Sequence, residues 1–137
     1  MHGPLKVFST DKFIAGNVTD MIDQYGAAMV HLLISDGIMV DFRHAFPDAV
    51  RKIIMVQRVL TSYQLQRILM ESDSNPHYIA LASAVVNSWH VSVVSGIYDI
   101  MRIKSYYHGC PIHLNIIGDP GVMARYLGAR KIGLEAY

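Results

Sequence analysis

The sequence predicts an α+β domain with a mixed, mainly antiparallel sheet flanked by helices. Three observations carry that expectation. Two apolar runs, Ala28 to Ile34 and Ile38 to Phe42, flank Ser35-Asp36-Gly37, and an Asp-Gly between such runs signals a β-hairpin. Near the C-terminus, Gly109-Cys110-Pro111 opens an apolar strand, Ile112 to Ile117. Gly118-Asp119-Pro120 then starts a short helix ending near Leu127-Gly128, and Arg130 to Leu134 reads as a closing strand. Between these blocks, Pro47 to Glu71 reads as helical. Val50, Ile53, Ile54, Val56 and Leu60 form its apolar stripe, and Arg51, Lys52 and Arg58 face outward.

The remaining elements follow in order. Lys6 to Ser9 is a short strand. Thr10-Asp11 caps a helix running to about Tyr25, where Gly26 stops it, and Phe13, Ile14, Val18, Met21, Ile22 and Tyr25 share one face. After the hairpin, Thr61-Ser62-Tyr63-Gln64 has the pattern of a capping box. Asp73-Ser74-Asn75-Pro76 is a break. His77 to Val86 reads as a buried strand expected beside Ile112 to Ile117. Ser92 to Tyr107 reads as a helix carrying Val93, Ile97, Ile100, Met101 and Ile103 inward, with Gly96 making a close contact to a strand. The expected order is β-α-β-β-α(α)-β-α-β-α-β.

Composition narrows the function classes. A chain of 137 residues is long enough for one domain with a real core. A hydrophobic fraction of 52% against 17% charged residues fits a folded chain, not a disordered one. No apolar run reaches the ~18 residues of a membrane span. The opening Met1-His2-Gly3-Pro4 lacks a signal-peptide pattern, and the single Cys110 fits a reducing compartment, so the expected location is cytoplasmic. Twelve basic residues against 11 acidic ones give no electrostatic case for nucleic acid or a membrane surface.

The element order resembles the GNAT N-acyltransferase superfamily. The matching segments are Ala28 to Phe42, His77 to Val86, Ser92 to Tyr107, Ile112 to Ile117 and Pro120 to Leu127. Leu127-Gly128-Ala129 looks like the Leu-Gly-Phe that ends the family's last short helix. Small GNAT-like proteins of tailed bacteriophages have a similar ending. The match is best over the C-terminal sixty residues. It implies a single GNAT-like domain over residues 1–137, with Pro47 to Glu71 as a helical insertion.

The resemblance also implies an activity: acyl transfer from acetyl-coenzyme A to an amine on a small molecule or a protein. The strand backbone at Ser83, Ala84 and Val86 would pair with the pantetheine arm. The helix start at Ser88, Trp89, His90 and Ser92 would face the pyrophosphate. His44 or Asp41 would be the general base, and Tyr126 would be the candidate acid, since Ala124 stands where the family's tyrosine does. The loop Asn87 to Ser92 has no glycine and carries Trp89 where the family brings backbone close to phosphate. That departure favours a second reading, an inactive GNAT-like structural or interaction protein. Such a protein would meet a second copy or an assembly partner, in a phage particle for instance, with the host cytoplasm or the virion as its location.

Two further patterns bear on function. His90-Val91-Ser92 matches the His-x-Ser/Thr motif of two-histidine phosphoesterases, but the best second candidates, at His113 and His31, lack the Ser or Thr. Seven histidines invite a metal, yet none shows ligand spacing, so no metal site is expected. Asp41 also suits a surface ion pair with Arg43 or Arg51.

Overall fold

Three six-residue runs, Val30–Ser35, His77–Ala82 and Ile112–Ile117, are apolar on both sides of the pleat, as strands covered on two faces must be. In the computed structural model, which describes residues 4–119 and Gly121, all three are buried central strands. The strands β1 (Leu5–Thr10), β2 (Val30–Ser35), β3 (Ile54–Val59), β4 (His77–Ala82) and β5 (Ile112–Ile117) form one sheet. Its order is β1-β5-β4-β2-β3, and every ladder is parallel.

Parallel neighbours need crossovers, and helices supply them: α1 (Ala15–Tyr25), α2 (Phe42–Ala45), α3 (Asp48–Arg51), α4 (Ser62–Glu71), α5 (Ser83–Asn87) and α6 (Val91–Tyr106). From α1, Val18, Met21 and Ile22 pack with Phe46, beside α2, on the sheet face carrying Leu32, Ile34 and Tyr78. Leu65 and Leu69 of α4, with Val94, Ile97 and Met101 of α6, cover the opposite face at Leu33, Ile79 and Leu114. Each such leucine or isoleucine, wholly buried, contributes about 1.5–3 kcal/mol. The chain moves toward β3 with its helices on one face, then back toward β5 with helices on the other. The winding reverses between β2 and β4. Counted from β2, the order is the flavodoxin-like 2-1-3-4-5, with the N-terminal β1 filling the fifth place.

This sheet overturns the GNAT expectation, whose sheet is mainly antiparallel. Ile38 to Val40 is no returning strand, because both neighbours of β2 are already β3 and β4. Ile38 instead turns back into the core. The supposed helical insertion holds a strand at its centre: Pro47 to Glu71 contains α3, β3 and α4. Val50, Ile53 and Ile54 are half-buried, but Val56 and Leu60 of the expected stripe are exposed; Lys52 and Arg58 are exposed as expected, and Arg51 is half-buried. The strand at His77 ends at Ala82, and Ser83 to Val86 is helical.

Ile14, not Thr10-Asp11, precedes α1, and Ile103 of α6 is exposed instead of facing inward, while several other expectations hold. β4 does lie beside β5. Gly26 ends α1 with φ of 56°. Thr61 and Gln64 form the reciprocal capping box that starts α4. The segments expected from Pro120 to Leu127 and Arg130 to Leu134 lie outside the described residues. So does the Leu127-Gly128 stop.

Two glycines separate space from strain. A Cβ at Gly118, whose φ is 106°, would sit 2.7 Å from the Ser83 Oγ, whereas one at Gly96 inside α6 meets nothing within 4 Å. The close strand contact expected of Gly96 is therefore absent. Gly96→Ala should raise stability in urea by about 0.5–1 kcal/mol through the unfolded chain. Gly118→Ala should lower it by more than about 1 kcal/mol. Equal effects would contradict this packing.

Candidate functional site

In doubly wound sheets, ligands usually enter where the winding reverses, at the carboxyl ends of the strands. Here that crevice is closed by the chain itself. The Ala82 amide donates to the Ser35 Oγ at 2.9 Å, and that hydroxyl donates to the Asp36 carbonyl. A Cβ on Gly37 would come 3.2 Å from the Ala82 Cβ. Arg58 clasps the same loop, donating to the carbonyls of Ser35 and Ile38 at 2.9 Å each.

The amino ends of the strands are different. The parallel register places His31 beside His77, and the rings stack 4.4 Å apart. Around them gather Ser72 and Asp73 beyond the end of α4, Lys104 from α6, and Cys110 ahead of β5. His31 Nε2 lies 2.8 Å from the Asp73 carboxylate. His77 Nδ1 lies 2.6 Å from the Asn75 carbonyl, which requires a proton on that nitrogen. Its Nε2 then accepts from the Ser72 hydroxyl at 2.7 Å. Burial, together with the charge on His31, pushes His77 down to about 4. Burial raises Asp73, but hydrogen bonds from His31 and the Asn75 amide outweigh it and hold the carboxyl below its usual range.

Cys110 beside His77 invites a thiol–imidazole pair. The geometry argues against one. The thiol is 3.3 Å from His77 Nδ1, yet that nitrogen already carries a proton directed at Asn75, and the thiol donates to the same carbonyl at 3.2 Å. Burial pushes the thiol up to about 11, so no thiolate is available near neutral pH. This part of the cluster is a satisfied polar network.

Lys104 is not satisfied in the same way. It occupies the apolar stripe of α6 with Val94, Ile97 and Met101, and is only 8% exposed. Its ammonium donates to the Ser72 carbonyl at 2.9 Å, supplying a cation to the C-terminal end of α4. No carboxylate lies within ion-pair distance among the described residues. At the next position the Ser105 hydroxyl is buried without a hydrogen-bond partner there. Lys104 lines a groove of about 410 Å³ between α4 and α6, with Leu69, Met70, Ile100, Ile103, Ser72, Ser74 and His108.

The residues singled out in the sequence do not converge there. Asp41 and His44 bond each other at 2.5 Å on the exposed start of α2, while Arg51 pairs with Asp48. Val86 is buried in the core and Trp89 packs against it. Ser83 and Ala84 lie in α5, where the backbone is helical and offers no strand edge to a pantetheine arm. Ser88 bonds back to the Val85 carbonyl. His90 caps α6 through the Ser92 amide and hydroxyl. His90 follows β4 at the carboxyl end of the sheet, whereas His31 and His113 lie near the amino end on opposite faces. Tyr126 lies outside the described residues. Among those residues, no three His, Cys, Asp or Glu side chains are grouped to hold a metal ion. No helix among them is long and apolar enough to cross a membrane. Comparison with protein-family models and with curated proteins finds no match for this chain.

Sequence reasoning missed Lys104, although a signal was present. It falls three residues after Met101 and seven after Ile97, a core register in which a lysine is out of place.

The buried histidines set a pH dependence. Burial also lowers His113 to about 4, with a smaller contribution from Lys6. In the unfolded chain both rings return to the ordinary 6.5. Between pH 6.5 and 4 the unfolded state therefore binds protons that the folded state refuses. The contribution of these rings should be full above that window and fall as pH drops through it; below it, Asp73, held under its ordinary 3.8, adds a further loss as its carboxylate is protonated. The loss is on the order of 3 kcal/mol per ring. Urea titrations across this range check it, and His113→Gln should remove about half of the drop.

Proposed function

We propose that this domain binds a small amphipathic anion, a carboxylate or phosphate head on an apolar body, in the groove between α4 and α6. The observation that carries the reading is Lys104. A cation withdrawn from water is costly unless an anion or several acceptors meet it. Among the described residues one carbonyl does so, which leaves two ammonium hydrogens for a ligand. The rest of the lining suits the ligand's other parts. Leu69, Met70, Ile100 and Ile103 would take an apolar body, and Ser72, Ser74 and His108 are polar groups beside the head. A volume of about 410 Å³ falls in the usual range for small-molecule sites. The reading is binding without chemistry, because the neighbouring thiol is protonated and its imidazole is engaged on both nitrogens.

Acyl transfer from acetyl-coenzyme A rested on the GNAT fold, and a parallel sheet removes that support. Among the described residues the two-histidine phosphoesterase reading lacks a second histidine near His90. The other sequence-based reading, an interaction protein, keeps a specific feature of its own in the β3 edge.

Octanoate and octyl phosphate are suitable probes, with 1-octanol as the neutral control. Both anions should raise the melting temperature with the logarithm of their concentration, as ligands of the native state do, the added stability reaching about 2.7 kcal/mol at a hundredfold excess over Kd. Octanol should shift it far less. Lys104→Met should abolish the anion response yet change stability by no more than about 1 kcal/mol, since it also removes a buried charge. Equal shifts for octanol and octanoate, or an anion response that survives Lys104→Met, would refute the assignment.

A further inference from the structure

We propose that β3 pairs antiparallel with β3 of a second copy of this chain, giving a continuous ten-stranded sheet across a two-fold axis at Val56. Among the described residues β3 is an edge of the sheet, paired on one side with β2. Edge strands are normally guarded by a projecting charge, a proline or a bulge. β3 has no proline, and its ladder with β2 runs six residues without interruption. Its one charged residue, Arg58, is drawn aside onto the Ser35 and Ile38 carbonyls. Met55 and Val56 are 49% and 42% exposed.

Backbone direction fixes the register. The Val30 amide donates to the Ile53 carbonyl at 2.8 Å, so Ile53 directs its peptide groups toward β2. Alternation along the strand turns those of Met55, Gln57 and Val59 the same way and leaves those of Ile54, Val56 and Arg58 facing outward. These three are symmetric about Val56. A two-fold axis there sets Val56 opposite its own counterpart and Ile54 opposite Arg58. Each opposed outward pair exchanges two bonds, about six in all. Moving the axis to Gln57 leaves about four.

Charge fits as well. The two Arg58 residues stand four positions apart along the joined strands, roughly 14 Å, beyond the Debye length at physiological salt. The same axis runs the two α4 helices in opposite directions. Arg67, which lies 3.4 Å from Glu71 within one copy, then faces the Glu71 end of the other. On the other face Phe42, Phe46, Ile54 and Val56 line a depression beside the seam, which the joined strand would cover.

Sedimentation equilibrium across the micromolar range tests this. The chain should be dimeric. Val56→Pro removes an amide that faces outward and is not used by β2, a position where an edge strand tolerates proline. It should weaken dimerisation by at least about tenfold and keep the far-ultraviolet circular dichroism. If that variant does not fold, Met55→Lys restores a guarding charge and should also weaken the dimer. Val56→Cys should form a disulfide-linked dimer on mild oxidation, whereas Asp20→Cys on α1 should not. A monomer at all concentrations, or a dimer that neither edge variant weakens, overturns the proposal. So does a Val56→Cys chain that fails to crosslink, since another occupant then covers the edge.

Discussion

The pairing of β2 with β4 is the joint on which the rest of the structure depends. Two windings of opposite direction meet there, so each strand must be covered on both faces by helices that arrive from different parts of the chain. Four residue pairs, from His31–His77 to Ile34–Ala80, make this seam, and every one is buried. At its carboxyl end the seam is locked by the Ser35 hydroxyl and by the close approach of Gly37 to Ala82. At its amino end it carries two stacked imidazoles instead of aliphatic side chains. Closing one end and leaving polar groups at the other explains why the candidate site lies opposite the place where such sheets usually hold a ligand.

Much of the local structure was legible because its signals are local. Gly26 stops α1 through a left-handed backbone that glycine adopts without strain. Thr61 and Gln64 cap α4 through bonds within four residues. The long-range arrangement was less legible. Asp36-Gly37 is a real turn, but a hairpin needs an open neighbour, and β3 and β4 occupy both sides of β2. In and around β3, the spacing of Ile53, Ile54, Val56 and Leu60 imitates a helical stripe. The better signal was the concentration of β-branched side chains, which favour extended backbone. The candidate site was hidden for a related reason. Ser72 stands 32 residues before Lys104, with Cys110 shortly after, and they meet only because α4 and α6 cover the same sheet face.

The polar cluster separates two kinds of buried group. His77 and Cys110 have partners for their donors, and their shifted ionisation keeps both neutral. Neutral groups with hydrogen bonds cost little inside a protein. Lys104 is a different case. One carbonyl at the end of α4 is a weak counterpart for a whole charge. The same residue thus stabilises a helix end and, among the described residues, leaves part of its hydrogen-bonding capacity unused.

The place of β1 has a consequence for how the chain is made. Among the described residues β1, the first of the five strands in chain order, has one neighbour in the sheet, β5, whose last residue is Ile117. Until more than a hundred further residues have emerged, Leu5 to Thr10 have no ladder to join. The inner strands and their helices can assemble earlier. β1 must then close a loop of nearly the whole domain, the kind of distant contact that slows folding. During synthesis β1 is therefore the last of the strands preceding β5 to gain a partner, and chaperones would meet it as an unpaired strand.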